Sequence, residues 1–309
     1  MRWKTIKVTN DVKDIECSKV AVALGTFDGM HIGHMELIKT LKEKACEIGV
    51  NTLVYTFSSV PAEYFSKGNI RLFTVEQKLK AFENLGVDCV LLNEFNKEYA
   101  QKTAEQFFNE LTHNLKIGLL VAGENFTFGH KKQGNFEMLK KMSEKAGIPI
   151  ICSKSVYSDG ELVSSTRIRS LISKGDVFTA NKLLMNPYSM SGIVENGQKL
   201  ATSLGFATAN IEPTFKKVMP KLGVYITTVN VDSKELLSIT NVGIRPTVAK
   251  KDEVIIETHI LNASPNLYKK EITVSFIKNL RGEKKFSSVE KLKKQVESDI
   301  IIAKQYFKI

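Results

Sequence analysis

Two histidines three residues apart, His31 and His34, stand in the stretch Gly25-Thr26-Phe27-Asp28-Gly29-Met30-His31-Ile32-Gly33-His34. At that spacing both imidazoles can face the same side of the first turn of a helix. There they can donate hydrogen bonds to phosphate oxygens and stabilise charge that builds on a leaving pyrophosphate. Gly25, Gly29 and Gly33 admit positive φ and close approach of backbone to a ligand. A zinc pair is the competing chemistry, but zinc normally takes three or four protein ligands and no cysteine lies nearby. The pattern is not a P-loop, since no Gly-Lys-Ser/Thr closes it, and it is not the dinucleotide G-x-G-x-x-G fingerprint.

Four other stretches could do chemistry. Val121-Ala122-Gly123-Glu124-Asn125-Phe126-Thr127-Phe128-Gly129 sets an amide between aromatic residues and brackets it with glycines, so Asn125 and Phe126 could hold a flat ring. A glycine-rich turn over buried phenylalanines is the plain alternative. Ser164-Ser165-Thr166-Arg167-Ile168-Arg169 offers hydroxyls, free N–H groups and arginines at a helix start, which suits phosphate; an ordinary helix cap is the alternative. Leu204-Gly205-Phe206-Ala207-Thr208-Ala209-Asn210 sets a hydroxyl and an amide, Thr208 and Asn210, close to Gly205; these are hard oxygen ligands of the kind a magnesium nucleotide accepts. Glu257 interrupts an apolar run, Val254 to Leu261. A carboxylate so flanked is a candidate general base with a raised pKa, or a solvent-facing strand residue.

The elements that must position these residues follow from periodicity. Val20–Leu24 reads as a strand and Gly33–Ile48 as the helix after it, closed by Gly49. Thr52–Phe57, Asp88–Leu92, Leu119–Ala122 and Pro149–Cys152 read as further strands. Helices begin at Thr74, Thr103 and Asn135, and another ends near Gly175. The Thr74 helix should bury Leu79, Phe82 and Leu85. Alternation of this kind predicts a parallel sheet covered on both faces, with ligands beyond the strand C-termini. The Gly25–His34 stretch falls there, at the positive end of a helix dipole. From Asn186-Pro187-Tyr188 onward the pattern changes. Val224–Val229, Leu236–Val242, Val254–Leu261 and Glu271–Phe276 are short β-branched runs, which predict a small closed sheet or barrel. A final helix opens with capping-box spacing at Ser287 and Glu290 and carries Val289, Leu292, Val296, Ile300, Ala303 and Phe307 as a docked apolar stripe.

Composition narrows the function classes. Of 309 residues, 43% are hydrophobic and 25% charged, which fits a globular protein of two domains. No apolar run approaches the roughly 20 residues of a membrane helix, and Met1-Arg2-Trp3-Lys4 lacks an export signal core. Cys17, Cys46, Cys89 and Cys152 form no C-x-x-C pair, so reduced, mostly buried thiols in the cytoplasm are expected. The net charge of +11 suits small polyanions such as nucleotides and flavin phosphates. No nucleic-acid motif accompanies it.

The motifs, in order, resemble the prokaryotic bifunctional riboflavin kinase/FAD synthetase family over nearly the whole chain. GTFDGMHIGH, GENFTFG and SSTRIR resemble its FMN adenylyltransferase module. Gly205–Asn210, Gly223–Tyr225, Asn241–Val248, Glu257–His259 and Leu280–Arg281 resemble its riboflavin kinase module. Three departures stand out. Ala207 replaces the proline of P-T-A-N, Lys199–Ser203 stands where the family has a Gly-Arg-rich loop, and Ser59-Val60-Pro61 stands where it often has His-Pro. The resemblance implies a Rossmann-like α/β nucleotidyltransferase domain, 1–186, then a β-barrel kinase-like domain with a terminal helix, 187–309. It implies FAD synthesis from riboflavin in two ATP-dependent steps with Mg²⁺. His31 and His34 would act on the triphosphate and Glu257 would be the kinase base. Gly25, Thr26, Phe27, Asp28, Gly33, Ser165, Thr166, Arg169 and Gly205 would bind ATP or phosphate. Asn125, Phe126 and Arg281 would bind flavin, and Thr208 and Asn210 the magnesium. The expected partners are riboflavin, FMN and ATP, with no nucleic acid, no membrane, and a monomer or weak homo-oligomer. The competing expectations are an FAD synthetase with a degenerate kinase domain and a flavin- or nucleotide-binding regulator.

Overall fold

The computed structural model describes residues 6–15, 19–65, 70–195, 206, 208–214, 216–245 and 253–309. The chain divides into two units, Met1–Arg167 and Ile168–Ile309. In the first, β1 (Lys7–Thr9), β2 (Val20–Leu24), β3 (Asn51–Phe57), β4 (Cys89–Asn93) and β5 (Ile117–Gly123) are followed by the hairpin β6 (Thr127–Phe128) and β7 (Gly134–Asn135), then β8 (Ile150–Ser153) and a second hairpin, β9 (Tyr157–Ser158) and β10 (Glu161–Leu162). The helices are α1 (Ile32–Glu47), α2 (Pro61–Phe65), α3 (Val75–Asn84), α4 (Lys97–Gln101), α5 (Ala104–Asn114), α6 (Phe136–Lys145) and α7 (Ser165–Lys174), the last of which runs on into the second unit.

Six strands form one sheet in the order β1-β4-β3-β2-β5-β8, and every pairing is parallel. From β2 the chain builds outward through β3 and β4 on one side, then returns to add β5 and β8 on the other. The order therefore reverses at β2, and the crevice beyond its C-terminus is where such sheets bind ligands. Leu24, the last residue of β2, pairs with Tyr55 on one side and Ala122 on the other. All five residues of β2 are buried. Val20, Val22 and Leu24 pack with Ala104, Phe107, Phe108 and Leu111 of α5. Alternation turns the small Ala21 and Ala23 to the opposite face, and α1 packs on the sheet through Leu37, Ile38, Leu41 and Ala45. Thr74 with Gln77 and Thr103 with Gln106 form the capping boxes that start α3 and α5.

The second unit contains α8 (Val177–Leu183), then β11 (Ser189–Glu195), β12 (Thr208–Pro213), β13 (Gly223–Val231), β14 (Lys234–Arg245), β15 (Glu253–Ile260), β16 (Glu271–Gly282) and α9 (Val289–Phe307). The six strands close an antiparallel barrel in the order β11-β12-β15-β14-β13-β16. Buried hydroxyls cross it as a satisfied chain: Thr227 to Ser238 at 2.7 Å, Thr227 to Thr240 at 2.7 Å, and Thr240 to Thr258 at 2.8 Å. β11 and β12 are not among the strands read from sequence: β11 opens on Ser-Met-Ser-Gly, without a β-branched residue, and β12 is a mixed run, Thr-Ala-Asn-Ile-Glu-Pro.

Several local expectations need correction. α3 buries Lys78, Ala81 and Phe82 rather than a Leu79–Phe82–Leu85 face. α9 is capped by Ser288, whose side chain accepts from the Lys291 N–H, and not by Ser287. Of the described cysteines only Cys89 is buried; Cys46 and Cys152 are exposed, on α1 and on the edge strand β8.

Candidate functional site

The turn leaving β2 is shaped by more than its glycines. Gly29 is left-handed at φ 87°, but Phe27 (φ 53°) and Met30 (φ 39°) share that region, while Gly25 and Gly33 do not. Phe27 and Met30 are fully buried, which offsets the strain of left-handed residues bearing side chains. Gly25 is needed for space: a Cβ there would lie 2.9 Å from the Phe27 ring, and one at Gly33 would lie 3.2 Å from the His31 ring. The Gly25 N–H donates to Tyr55 O at 3.2 Å, tying the turn to β3.

His31 is the N-cap of α1, and its Nδ1 accepts from the His34 N–H at 3.3 Å. An accepting Nδ1 in a neutral ring puts the ring proton on Nε2. The two imidazoles stack with centroids 3.6 Å apart, and Phe27 packs on His34 at 5.2 Å. Nδ1 of His34 is buried with no hydrogen-bond partner among the described residues. Burial pushes His34 well below the ordinary imidazole value, and the charges of His31 and Lys78 push the same way. His34 is therefore neutral near pH 7.

Asp28 lies in the same turn, but its carboxylate faces inward. It is 3% exposed and accepts from the Leu72 N–H at 3.0 Å and the Phe73 N–H at 3.2 Å. Ser165 donates its hydroxyl to Asp28 O at 2.8 Å, so the start of α7 is tied to the histidine turn. Ser164 supplies the cap oxygen, accepting from the Arg167 N–H at 3.2 Å. Thr166 is exposed, and Arg169 lies one turn further along α7. Asn125 is exposed in the turn after β5, next to β2 in the sheet, and Phe126 stacks on Phe128 at 5.6 Å.

Two features were missed in the sequence. Lys78 is 5% exposed and donates to Thr26 O at 3.3 Å, to Thr56 Oγ1 at 3.4 Å and to Phe57 O. Burial lowers its pKa to about 8, against the opposing pull of Asp28. The other is a ring cluster at the C-terminal ends of β3 and β4. Phe57 meets Tyr99 at 5.0 Å and Phe95 at 5.5 Å, and Phe95 meets Tyr64 at 5.9 Å and the exposed Phe65 at 6.1 Å. Tyr55 and Tyr99 share a phenol–phenol hydrogen bond of 3.0 Å, and burial raises both, Tyr55 to about 12. Helical periodicity could have flagged Lys78 as a lysine on an otherwise inward face; the rings come from three separate segments.

In the barrel, Asn210, Glu257 and Asn241 are in register across β12, β15 and β14. All three are half-buried, whereas the neighbours of Glu257 along its strand, Ile256 and Thr258, are fully buried in the interior. Thr208 pairs with His259 on the same sheet. The amide oxygen of Asn210 is buried without a partner among the described residues. A hard, unspent oxygen beside a hydroxyl and a carboxylate fits a magnesium nucleotide. Arg281 instead grips Asp299 of α9, with Nε at 2.9 Å and Nη2 at 2.8 Å from Oδ2, and Gln295 donates to Oδ1 at 3.0 Å. Gly205, Ala207 and Lys199–Ser203 lie outside the described residues.

Against known proteins, the FAD synthetase family matches residues 13–167 and the riboflavin kinase family residues 184–307. The bifunctional riboflavin kinase/FMN adenylyltransferase of Haemophilus influenzae is 36% identical over 93% of this chain and 94% of its own length. The chain belongs to this bifunctional family. The Escherichia coli K12 family member is 32% identical over 98% of both chains. Family membership agrees with the order of domains seen here, a parallel α/β sheet and then a closed barrel with a terminal helix. A crystal structure described as a macrolide-efflux protein from Streptococcus pneumoniae superposes with a TM-score of 0.87 at 27% identity, covering 97% of this chain and 99% of that one. No helix among the described residues of this family member is long and apolar enough to cross a membrane.

Proposed function

We propose that this chain makes FAD from riboflavin in two steps, phosphorylating riboflavin to FMN with ATP and then adenylylating FMN with release of pyrophosphate. The observation that carries the reading is the stacked His31–His34 pair at the sheet's reversal point, in a chain that matches both the FAD synthetase and the riboflavin kinase families.

In the α/β unit the FMN phosphate attacks the α-phosphorus of ATP and pyrophosphate departs. No covalent enzyme intermediate is needed, because positioning and charge stabilisation suffice. The Nε2–H of His31 and the first-turn N–H groups of α1 face the departing charge. Neutral His34 keeps one ring N–H to donate to a phosphate oxygen and adds no charge beside His31. Gly25, Thr26, Phe27 and Gly33 shape the phosphate turn, and Ser165, Thr166 and Arg169 supply further donors from α7. Asp28 serves by holding Leu72 and Phe73. Asn125 and Phe126, with the rings around Phe57, offer an amide and apolar faces to the flavin.

In the barrel Glu257 takes the proton from the terminal ribityl hydroxyl while that oxygen attacks the γ-phosphorus, the bond to the β,γ-bridging oxygen breaks and ADP leaves. Thr208 and Asn210 would hold Mg²⁺, which supplies charge neutralisation on the phosphates. Gly205 and Arg281 belong to the ATP and flavin sides of this site by resemblance. The enzyme is proposed to act in the cytoplasm, as a monomer or weak homo-oligomer, without nucleic acid.

Incubating the purified protein with Mg-ATP and either riboflavin or FMN, then separating the flavins, tests this. FMN and FAD from riboflavin, and FAD from FMN, are expected. FAD from FMN alone would replace the reading with a single-activity synthetase, and no product from either would overturn it.

A further inference from the structure

Lys78 is a buried cation that binds no carboxylate among the described residues. Its three N–H donors go to Thr26 O, Thr56 Oγ1 and Phe57 O, all neutral oxygens. Burying an ammonium is costly unless it is hydrogen-bonded, and more so when no counter-ion touches it. Here every donor is satisfied but the charge is not cancelled. The acceptors identify what the lysine joins. Thr26 belongs to the histidine turn after β2, and Thr56 and Phe57 are the last residues of β3. β2 and β3 are adjacent and central, so the ammonium staples the two strand ends that border the reversal point.

The charged groups that act on it come from three segments. Asp28 of the histidine turn and Glu63 of α2 favour its charged form, while Arg71, just before α3, opposes it. Glu63 is already occupied by Arg71, which reaches its two oxygens at 3.0 and 2.7 Å. Asp28 is occupied by two backbone N–H groups. Burial is the main cause of the low His34 pKa; the charges of His31 and then Lys78 add to it. A fixed positive charge beneath a turn that receives a triphosphate is a functional arrangement rather than a cheap way to fill a core.

We propose that Lys78 is a positioning residue of the adenylyl-transfer site: it fixes the Thr26 end of the histidine turn to the end of β3 and so holds the packing around His34. This rests on the adenylyltransferase reading. Loss of the cation would let the turn relax and would let His34 take up a proton more readily.

The test uses full-length Lys78→Met and Lys78→Arg with the parent. With FMN and Mg-ATP, Lys78→Met should form FAD about 10²-fold more slowly, the usual scale for a lost charge-positioning group, and Lys78→Arg should recover part of that. The His34 imidazole, followed by NMR titration without substrate, should move to higher pKa in Lys78→Met. The parent's kcat/KM should fall at alkaline pH as Lys78 deprotonates, and Lys78→Arg should lack that limb. A folded Lys78→Met that makes FAD at the parent rate, or that leaves the His34 titration unmoved, overturns the proposal. If Lys78→Met does not fold, an alkaline limb unchanged in Lys78→Arg overturns it. A parent that makes no FAD from FMN instead defeats the adenylyltransferase reading, and the titration still reads Lys78 directly.

Discussion

The imidazoles of His31 and His34 stack face to face, 3.6 Å between centroids and 18° from parallel. Two positive rings at that distance repel strongly, so the pair can carry one proton far more easily than two. His31 also has a structural duty as the cap of α1. The two duties can be separated.

His31→Ala should lose both. FAD formation from FMN should fall about 10²-fold, and the lost cap should cost about 1 kcal/mol of stability. His31→Asn can still accept from the His34 N–H, so it should unfold with the parent yet remain as slow as His31→Ala. Riboflavin phosphorylation should persist in both. An active His31→Asn would reduce His31 to a helix cap.

His34 should also leave a mark on stability. In the unfolded chain it titrates near its ordinary value of about 6.5; folded, it titrates well below that, chiefly through burial. Between the two values only the unfolded chain binds the proton. Stability should therefore fall as pH drops below about 6.5, and the loss should level off below the folded pKa. Urea midpoints from about pH 7.5 to about 5 measure this, and His34→Gln should show a shallower decline. Equal slopes for parent and variant would contradict the buried neutral imidazole.

Arg281 and Asp299 make a different prediction. Asp299 is 2% exposed and its carboxylate is held by Arg281 and Gln295. Removing the guanidinium leaves a buried charge short of its main partner, which costs about 3 kcal/mol, at the low end for a broken buried pair because Arg281 is itself partly open to solvent. Arg281→Met should thus lower the denaturation midpoint of the protein sharply, and Arg281→Met/Asp299→Leu should recover much of it. A single variant as stable as the parent would mean that α9 does not depend on this pair.

Strands β2 to β5 and β8 and the longer helices of the first unit were legible because their signals are local; the edge strand β1, the two-residue hairpin strands and the five-residue α2 and α4 were not. Thr74 with Gln77 and Thr103 with Gln106 carry helix starts in four residues, and β2 is an unbroken apolar run. The histidine turn was legible in its residue types but not in its backbone, where Phe27 and Met30 take conformations usually left to glycine. Asp28 reads as a phosphate residue from its place in the turn; that its carboxylate also binds the N–H groups of Leu72 and Phe73, more than 40 residues away in sequence, could not be read there. Helical periodicity sets Lys78 on the inward face of α3, but its acceptors lie on two other elements, so spacing does not show what it binds. Arg281 shows the limit most plainly: spacing could not reveal that Asp299 of a later helix would hold it.

The last prediction concerns Glu257. It lies between Asn210 and Asn241 in register, on the face of the barrel opposite the buried Ile256 and Thr258. That face also holds the unpartnered amide oxygen of Asn210. Glu257→Gln preserves shape and can still hydrogen-bond the ribityl hydroxyl, but it cannot accept its proton. If the carboxylate is the base, riboflavin phosphorylation should fall by roughly 10²–10⁴-fold with little change in riboflavin affinity. FAD formation from supplied FMN should stay near the parent rate, because the histidine turn is untouched. Asn210→Ala should differ in kind: its loss should raise the magnesium concentration needed for half-maximal rate, as expected for a ligand rather than a base. Unchanged phosphorylation in Glu257→Gln would remove the base assignment, and a magnesium requirement unchanged in Asn210→Ala would remove the metal assignment while leaving Glu257 standing.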